Sequence, residues 1–143
     1  MNFRFQLVSL SGTMFDDEVY EVLLPTMEGE IGVLHDHMPL VSVVSYGAIA
    51  VRRQEKDSDR QREYFATTGG VIDVANNVLR VLVDEADHAD NINVAEAEAA
   101  YDRAKQMKAE AKDQVSLEHA QGLIDRQAVR LQVANLKHRH QKR

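Results

Sequence analysis

Apolar and polar residues alternate along the first 84 residues of the chain, in short stretches of about 4–8 positions. The first stretch shows the pattern clearly, since Phe3, Phe5 and Leu7 are separated by Arg4 and Gln6. Further apolar runs lie at residues 19–24, 31–34, 40–44, 48–53, 64–68, 71–75 and 78–83. A period of two is that of a half-buried strand, and turn residues recur roughly every 8–12 positions. The pattern predicts eight or more short strands in an all-β sandwich or barrel.

Turn-forming residues separate these runs. Pro25 follows the second run and, because it lacks an N–H, is expected to end that strand. The stretch RRQEKDSDRQRE, residues 52–63, contains no apolar residue, which predicts an exposed hairpin tip. Residues 69–70 (Gly-Gly) and 76–77 (Asn-Asn) are expected turns, because both residue types tolerate positive φ. No Lys-Ser, Lys-Thr or helix follows the glycines, which disfavours a phosphate-binding loop.

From residue 93 onwards the apolar period lengthens to about 3.6, the period of an amphipathic helix. Asn93 is placed to cap this helix, with Glu96 completing a capping-box-like arrangement, and Ser116 is the expected cap of a second helix. The predicted apolar faces are Val94, Ala97, Tyr101, Ala104, Met107 and Ala111 on the first helix, and Leu117, Ala120, Ile124, Ala128, Leu131 and Ala134 on the second. The short connection predicts an antiparallel helical hairpin.

The chain is therefore predicted to be an α+β protein in two parts, a β-sandwich over residues 1–86 and a helical hairpin over residues 87–143. Alanine dominates the apolar face of the first helix. Because alanine buries little apolar surface, the two helices are expected to hold each other weakly, while its high propensity keeps each one helical. Such a hairpin suits docking in more than one place. A simple oligomerisation or capping element is the alternative.

Length and composition limit the possible functions. A chain of 143 residues holds one modest core, or a compact domain with an appendage. With no cysteine, disulfides, thiol catalysis and cysteine-ligated metal centres are excluded. The N-terminus does not resemble a signal peptide, and no stretch approaches the roughly 20 apolar residues of a membrane span. Membrane association is expected only through other proteins.

Charge is distributed unevenly along the chain, although the net charge is only −6. Residues 1–90 hold 16 acids and 7 bases, whereas residues 91–143 hold 10 bases and 7 acids. Between Arg126 and Arg143 there are six bases and no acid. This basic tail suits an acidic partner surface, and the alternative is a solvated helix end that complements the helix dipole.

Candidate chemistry is sparse. His35 and His37 have a spacing that puts two imidazoles on one side of an extended segment, but nothing local supplies a third ligand, so no metal site is expected. Asp73, Asp84 and Glu85 lie at strand ends without a nucleophile, so no catalytic residue is expected. The acidic β-region would repel phosphates, which disfavours nucleic acid as a partner.

The segment EGEIGVLHDHMPL, residues 28–40, resembles the signature segment of epsilon subunits of F-type ATP synthases. That family has Glu-Gly-Glu-aliphatic-Gly, then Pro-Gly-His, a small residue and Pro-Leu. The resemblance continues through residues 47–49, through FATTGGVIDVANNVLRVLVDEA at residues 65–86, and through both helices. Each piece is weak alone, but the combination is specific and covers essentially the whole chain.

This resemblance implies a sandwich of about ten strands that binds the gamma subunit and rests on the c-ring, together with a regulatory hairpin. It also implies a non-catalytic subunit without cofactor, because ATP chemistry belongs to the alpha and beta subunits. The implied function is to couple the catalytic head of a proton-translocating enzyme to its c-ring and to restrain ATP hydrolysis. The implied location is peripheral, on the cytoplasmic face of the bacterial plasma membrane. Glu30 and His37 match family positions that face the polar loops of the c-ring.

Two departures from the family pattern affect particular features. His35-Asp36 stands where relatives have Pro-Gly, so the loop is expected to lose a rigid turn. Relatives that bind ATP carry aliphatic-Asp-x-x-Arg-Ala at the start of the first helix. The matching positions here are Ile92, Asn93, Glu96 and Ala97, and the other arginine positions are occupied by Gln121, Ala128 and Gln132. We therefore expect no ATP binding of physiological strength.

The resemblance further suggests that the second helix swings away from the sandwich and contacts an acidic segment of the beta subunit. The candidate contact residues are Arg126, Arg130, Lys137 and Arg139, followed by Lys142 and Arg143. The competing class is a stand-alone β-sandwich protein-interaction module whose helices serve only for dimerisation.

Overall fold

The computed structural model describes residues 1–141, and the side chains of residues 1–139. Lys142 and Arg143, two of the predicted contact cations, lie outside the described residues. The strands are β1 Phe3–Ser9, β2 Gly12–Val19, β3 Glu21–Thr26, β4 Gly29–Val33, β5 Leu40–Val44, β6 Gly47–Arg52, β7 Glu63–Thr67, β8 Gly70–Ala75, β9 Val78–Val83 and β10 Ala86–His88. The helices are α1 Val94–Glu110 and α2 Gln114–Gln141, and short 3-10 turns lie at Asp59–Gln61 and Ala89–Asn91.

The strands form one continuous ladder that folds into two layers. The first layer has the order β10-β7-β6-β3, with β4 also paired to β3, and the second has the order β5-β8-β9-β1-β2. One residue pair, Thr26 with Val44, joins β3 to β5 between the layers. Neighbouring strands are antiparallel except β1, which runs parallel to β9. The predicted α+β fold, a sandwich of about ten strands followed by a helical hairpin, is confirmed.

Aromatic side chains join the two layers through the core. Buried and half-buried positions alternate strictly along β1, as its sequence predicts. The Phe15 ring lies 5.3 Å from the Phe5 ring within the second layer, and meets Phe65 of the first layer edge-on at 6.0 Å. Aromatic pairs in this geometry stabilise a core beyond their area burial.

Three strand predictions need correction. The predicted runs end at residue 83 and omitted the short strand β10, which pairs antiparallel with β7. The sequence pattern omitted β2, because its central residues Asp16, Asp17 and Glu18 are exposed and only Phe15 and Val19 are buried. Pro25 was predicted to end its strand but lies within β3. It is the penultimate residue there, and its carbonyl accepts a hydrogen bond from the Ser45 N–H at 2.9 Å. A proline is tolerated at this strand end because few ladder bonds remain to be lost.

The predicted Asn-Asn turn is confirmed, whereas the predicted Gly-Gly turn is only half right, because Gly70 lies within β8. Asn76 and Asn77 have φ of 53° and 61°, the left-handed pair that a two-residue hairpin requires between β8 and β9. Gly69 has φ of 106° before β8. At Gly70 a Cβ would lie only 1.9 Å from the carbonyl oxygen of Leu82, so the close approach of β9 requires glycine.

Both helices begin with a side-chain cap. The Asn93 side chain accepts a hydrogen bond from the Glu96 N–H at 3.1 Å, as predicted. The predicted Ser116 cap is wrong, because Asp113 caps α2 by accepting the Ser116 N–H at 2.7 Å. The hydrogen bonds from the backbone N–H and side chain of Ser116 hold the pKa of Asp113 below its ordinary value.

The hairpin lies against the outer face of the first layer, and α2 lies between that layer and α1. Ala104 and Ala120 are buried, in agreement with the predicted alanine-rich packing of the two helices. The predicted face of α2 is only partly right, because Ala128 is exposed while Val129 and Val133 are buried. Those two valines face the sandwich, a second contact surface that a single apolar stripe does not reveal. Neither described helix combines the length and apolar content needed to span a bilayer.

Candidate interaction sites

Three ion pairs connect α2 to the segment that leaves the sandwich. We call Glu85, Asp87 and Asp90 the acidic strip, and Arg126, Arg130 and Lys137 the basic stripe. The pairs are Arg126 Nε to Glu85 Oε2 at 2.7 Å, Arg130 Nε to Asp87 Oδ2 at 3.3 Å, and Lys137 Nζ to Asp90 Oδ1. Three of the four described cations predicted to contact a partner subunit are thus paired within the chain.

The spacing of the two charge patterns explains why the first two pairs form together. Glu85 and Asp87 are two residues apart in an extended segment, a rise of roughly 6.6 Å. Arg126 and Arg130 are four residues apart on a helix, a rise of about 6 Å. The third pair lies further along in the same direction, where Asp90 belongs to the 3-10 turn Ala89–Asn91. Helix and strip therefore run alongside each other, with their charges in the same order.

Beneath the ion pairs lies a small apolar seam. Val129, Val133 and Ala134 of α2 pack with Tyr64 and Ala66 of β7 in one buried cluster. Val133 has no exposed surface. Burial raises the pKa of the Tyr64 hydroxyl above its ordinary value. The contact between α2 and the sandwich, which we call the docked pose, therefore combines a buried apolar seam with a partly exposed row of ion pairs.

His88 fixes the geometry of the acidic strip. Its Nδ1 accepts a hydrogen bond from the Asp90 N–H at 3.0 Å, so its hydrogen lies on Nε2, 3.3 Å from Glu63 Oε1. The ring also meets Phe65 edge-on at a centroid distance of 5.0 Å. Sequence reasoning left this residue without a role.

The two residues assigned to the c-ring lie at different ends of β4. Glu30 is exposed at the second position of the strand, and His37 is half-buried four residues beyond its end. His37 donates from Nδ1 to the Met38 carbonyl at 2.7 Å. Their role in binding the c-ring stays a prediction.

The loop before His37 is fixed by a contact that the sequence did not indicate. Asp36 donates its N–H to Asn77 Oδ1 at 2.6 Å, and Asn77 Nδ2 donates to Asp36 Oδ1 at 3.0 Å. Asp36 itself has φ of 62°. This reciprocal pair ties the loop to the β8–β9 turn.

The outer face of the second layer carries an exposed apolar row. Val43 of β5 lies opposite Val71 of β8, which lies opposite Leu82 of β9. All three are exposed, and Val41 beside them is 75% exposed. Contiguous exposed apolar residues mark a protein contact surface. The sequence contained a signal for this surface. Residues 40–44 and 78–83 are nearly all apolar, which indicates strands with apolar side chains on the exposed face as well as on the buried face.

Metal binding has no candidate site among the residues that the structure describes. Among the described residues, no group of three or more histidine, aspartate or glutamate side chains is arranged to hold a metal ion. The His35 imidazole instead lies 3.2 Å from the Asp36 carboxylate. A sandwich with an apolar face and a docked charged hairpin is the arrangement of a subunit that acts through contacts with other proteins.

Comparison with known proteins identifies the family to which the chain belongs. Residues 2–89 match the model of the ATP synthase delta/epsilon chain β-sandwich domain. The ATP synthase epsilon chain of Lactobacillus delbrueckii subsp. bulgaricus is 31% identical over 140 residues, covering 96% of this chain and 95% of the relative. That of Gloeobacter violaceus is 34% identical over 134 residues, covering 94% and 98%. The chain belongs to the epsilon-chain family of F-type ATP synthases, and is a non-catalytic subunit.

Solved structures share the fold. A chain in the cryo-EM structure of the Euglena gracilis mitochondrial ATP synthase, with OSCP, F1 and c-ring, matches with a TM-score of 0.73 at 18% identity, covering 87% of this chain and 76% of that one. A chain of the Tetrahymena thermophila mitochondrial ATP synthase central stalk and c-ring matches with a TM-score of 0.57 at 13% identity, covering 92% and 95%. At these identities the likeness concerns the fold.

Proposed function

We propose that this chain is a central-stalk subunit that couples the catalytic head of a proton-translocating ATP synthase to its c-ring. The observation that carries this proposal is the exposed apolar row of Val43, Val71 and Leu82 in a chain of the epsilon family. We assign the row to the gamma subunit. The row lies on the second layer and the hairpin on the first, so both surfaces are available at once.

The gamma assignment is tested by co-purification. Replacing Val43 with Asp places a charge in the centre of an apolar contact, where its desolvation is costly, and should reduce recovery of gamma with this chain. Val115→Asp is the matched control, since Val115 is an exposed valine on α2, far along the chain from the row. Equal recovery of gamma with both variants would refute the assignment.

We propose that Glu30 and His37 contact the c-ring, since charged and titratable side chains suit a polar, exposed protein contact. The Asp36–Asn77 pair supports this role by holding the loop before His37 in one conformation. Replacing both residues with Ala should weaken binding of the catalytic head to the membrane sector. The control is Glu55→Ala with His119→Ala, both exposed. Unchanged binding and coupling in the first variant would remove the claim.

We propose that the hairpin restrains ATP hydrolysis when the basic stripe and Arg139 contact an acidic segment of the beta subunit. The alanine-rich helix packing and the narrow seam support this, because the partner needs to supply only the difference in affinity between two poses. Deleting residues 116–143 should leave the sandwich of residues 1–86 folded and assembled while raising the hydrolysis rate. An unaltered rate at both low and high salt would defeat the inhibitory role.

The proposed location is peripheral, at the cytoplasmic face of the bacterial plasma membrane, with membrane contact only through the rest of the complex. A stand-alone interaction module with a dimerising hairpin would instead purify without gamma. Pull-down from native membranes with a tagged chain separates the two, since the coupling subunit should retain gamma and the c-ring.

A further inference from the structure

We propose that the acidic strip is an internal decoy for the hairpin: Glu85, Asp87 and Asp90 occupy the cations that an acidic partner would otherwise bind, and salt weakens this closure. The decoy itself is a property of the isolated chain. Its effect on hydrolysis rests on the proposed function.

Register is the first reason to regard the strip as a matched partner. Strip and helix present their charges in the same order along the same direction, and the first two pairs are spaced about equally on both elements. Residues 126, 130 and 137 lie within about 40° of one another around a helix of 3.6 residues per turn. They form one face, and the buried Val133 lies beside it.

Competition is the second reason. Of the cations assigned to the beta subunit, Arg126, Arg130 and Lys137 already have carboxylate partners, while Arg139 is exposed and makes no ion pair within the described part of the chain. An acidic partner segment must displace the strip before it can bind the stripe. The strip therefore raises the threshold for opening.

Exposure makes this closure sensitive to salt. The paired side chains keep between 18% and 57% of their surface exposed, so the pairs are only partly shielded from dissolved ions. Screening acts over roughly 10 Å at 0.1 M salt and about 3 Å at 1 M. Chloride salts should therefore open the hairpin while leaving the sandwich core folded.

The test measures the distance between sandwich and hairpin in the isolated full chain. Since the chain has no cysteine, spin labels attach uniquely to Lys56→Cys and Asn135→Cys, which are exposed positions on the β6–β7 hairpin and on α2. Pulsed EPR then gives the populations of docked and released hairpin. Raising NaCl from about 0.05 to 1 M should increase the released population.

Charge-reversal variants separate the strip from general charge effects. Glu85→Lys with Asp87→Lys and Asp90→Lys should raise the released-to-docked ratio by about 3- to 125-fold, since three pairs of roughly 1.4- to 5-fold each are lost. The matched control changes three exposed acids that form no ion pair in the described part of the chain, Glu18, Glu28 and Glu55, to lysine. It has the same net charge and should remain docked.

Two further variants keep the result interpretable if reversal harms folding. Combining it with Arg126→Glu, Arg130→Glu and Lys137→Glu should restore docking, because the signs are exchanged. Replacing only the three bases with Gln should make the distance independent of salt. The decoy is overturned if the strip variant matches its control, or if wild-type and Gln variants respond equally to salt.

Hydrolysis by the assembled enzyme distinguishes this proposal from the proposed function. With both correct, the strip variant opens the isolated chain and inhibits hydrolysis more strongly than wild type. Opening without a change in hydrolysis would uphold the decoy and refute the inhibitory role.

Discussion

Replacing Val133 with Ala should release the hairpin without unfolding the sandwich. The Val133 side chain of α2 is completely buried against β7, in a cluster separate from the sandwich core. The change removes two methyl groups, and each buried carbon contributes about 0.8 kcal/mol, so docking loses about 1.6 kcal/mol before any cavity term. This corresponds to roughly a 15-fold shift in the ratio of released to docked hairpin.

Pulsed EPR distances between labels on β6–β7 and α2 measure that ratio, and urea denaturation measures the sandwich. Val115→Ala is the matched control, because the same chemical change occurs on the same helix at a residue that is 78% exposed. It should change neither quantity. If Val133→Ala gives the same released population as Val115→Ala, the seam does not hold the hairpin.

Three other predictions follow from local geometry and from sequence. Gly70→Ala should destabilise the sandwich by about 3 kcal/mol in urea denaturation, because its Cβ would meet the Leu82 carbonyl; Gly122→Ala, with open space around it, should stabilise α2 by about 1 kcal/mol. Because the folded-state pKa of Asp113 is lowered, its cap is fully present above the ordinary value of 3.8 and is lost as pH falls through the folded value. NMR should therefore show acid-induced fraying of the first turn of α2 that Asp113→Asn lacks. Calorimetry should detect no saturable, micromolar ATP binding, because Glu96 would repel phosphate at the position where the family resemblance implies an arginine in ATP-binding members.

Strands with a clear alternation could be predicted from sequence, and β2 shows where that signal fails. A strand at the edge of a sheet buries few side chains, so Asp16, Asp17 and Glu18 read as a loop. The predicted apolar face of α2 was only partly right for the opposite reason. It is covered on two sides, so its buried residues do not form the single stripe expected of a surface helix.

The candidate interaction sites also differ in how far the sequence predicts them. Glu30 and His37 were predicted by resemblance alone, since nothing in their spacing indicates a contact. The pairing of strip and stripe joins residues about 40 positions apart, which no local pattern reveals. The sequence shows Glu85 and Asp87 two residues apart and Arg126 and Arg130 four residues apart. Only the fold shows that these acids and bases form ion pairs.

The parallel pairing of β1 with β9 has a consequence for folding during synthesis. About 70 residues separate the two strands, so at 5–20 residues per second the first strand waits roughly 4–14 seconds for its inner neighbour. During that time β1 has only β2 beside it, and an unpaired hairpin is prone to aggregate. The three consecutive acids of β2 counter this by repelling other copies of the nascent chain. We therefore expect the acids that concealed β2 from sequence analysis to limit aggregation before the fold is complete.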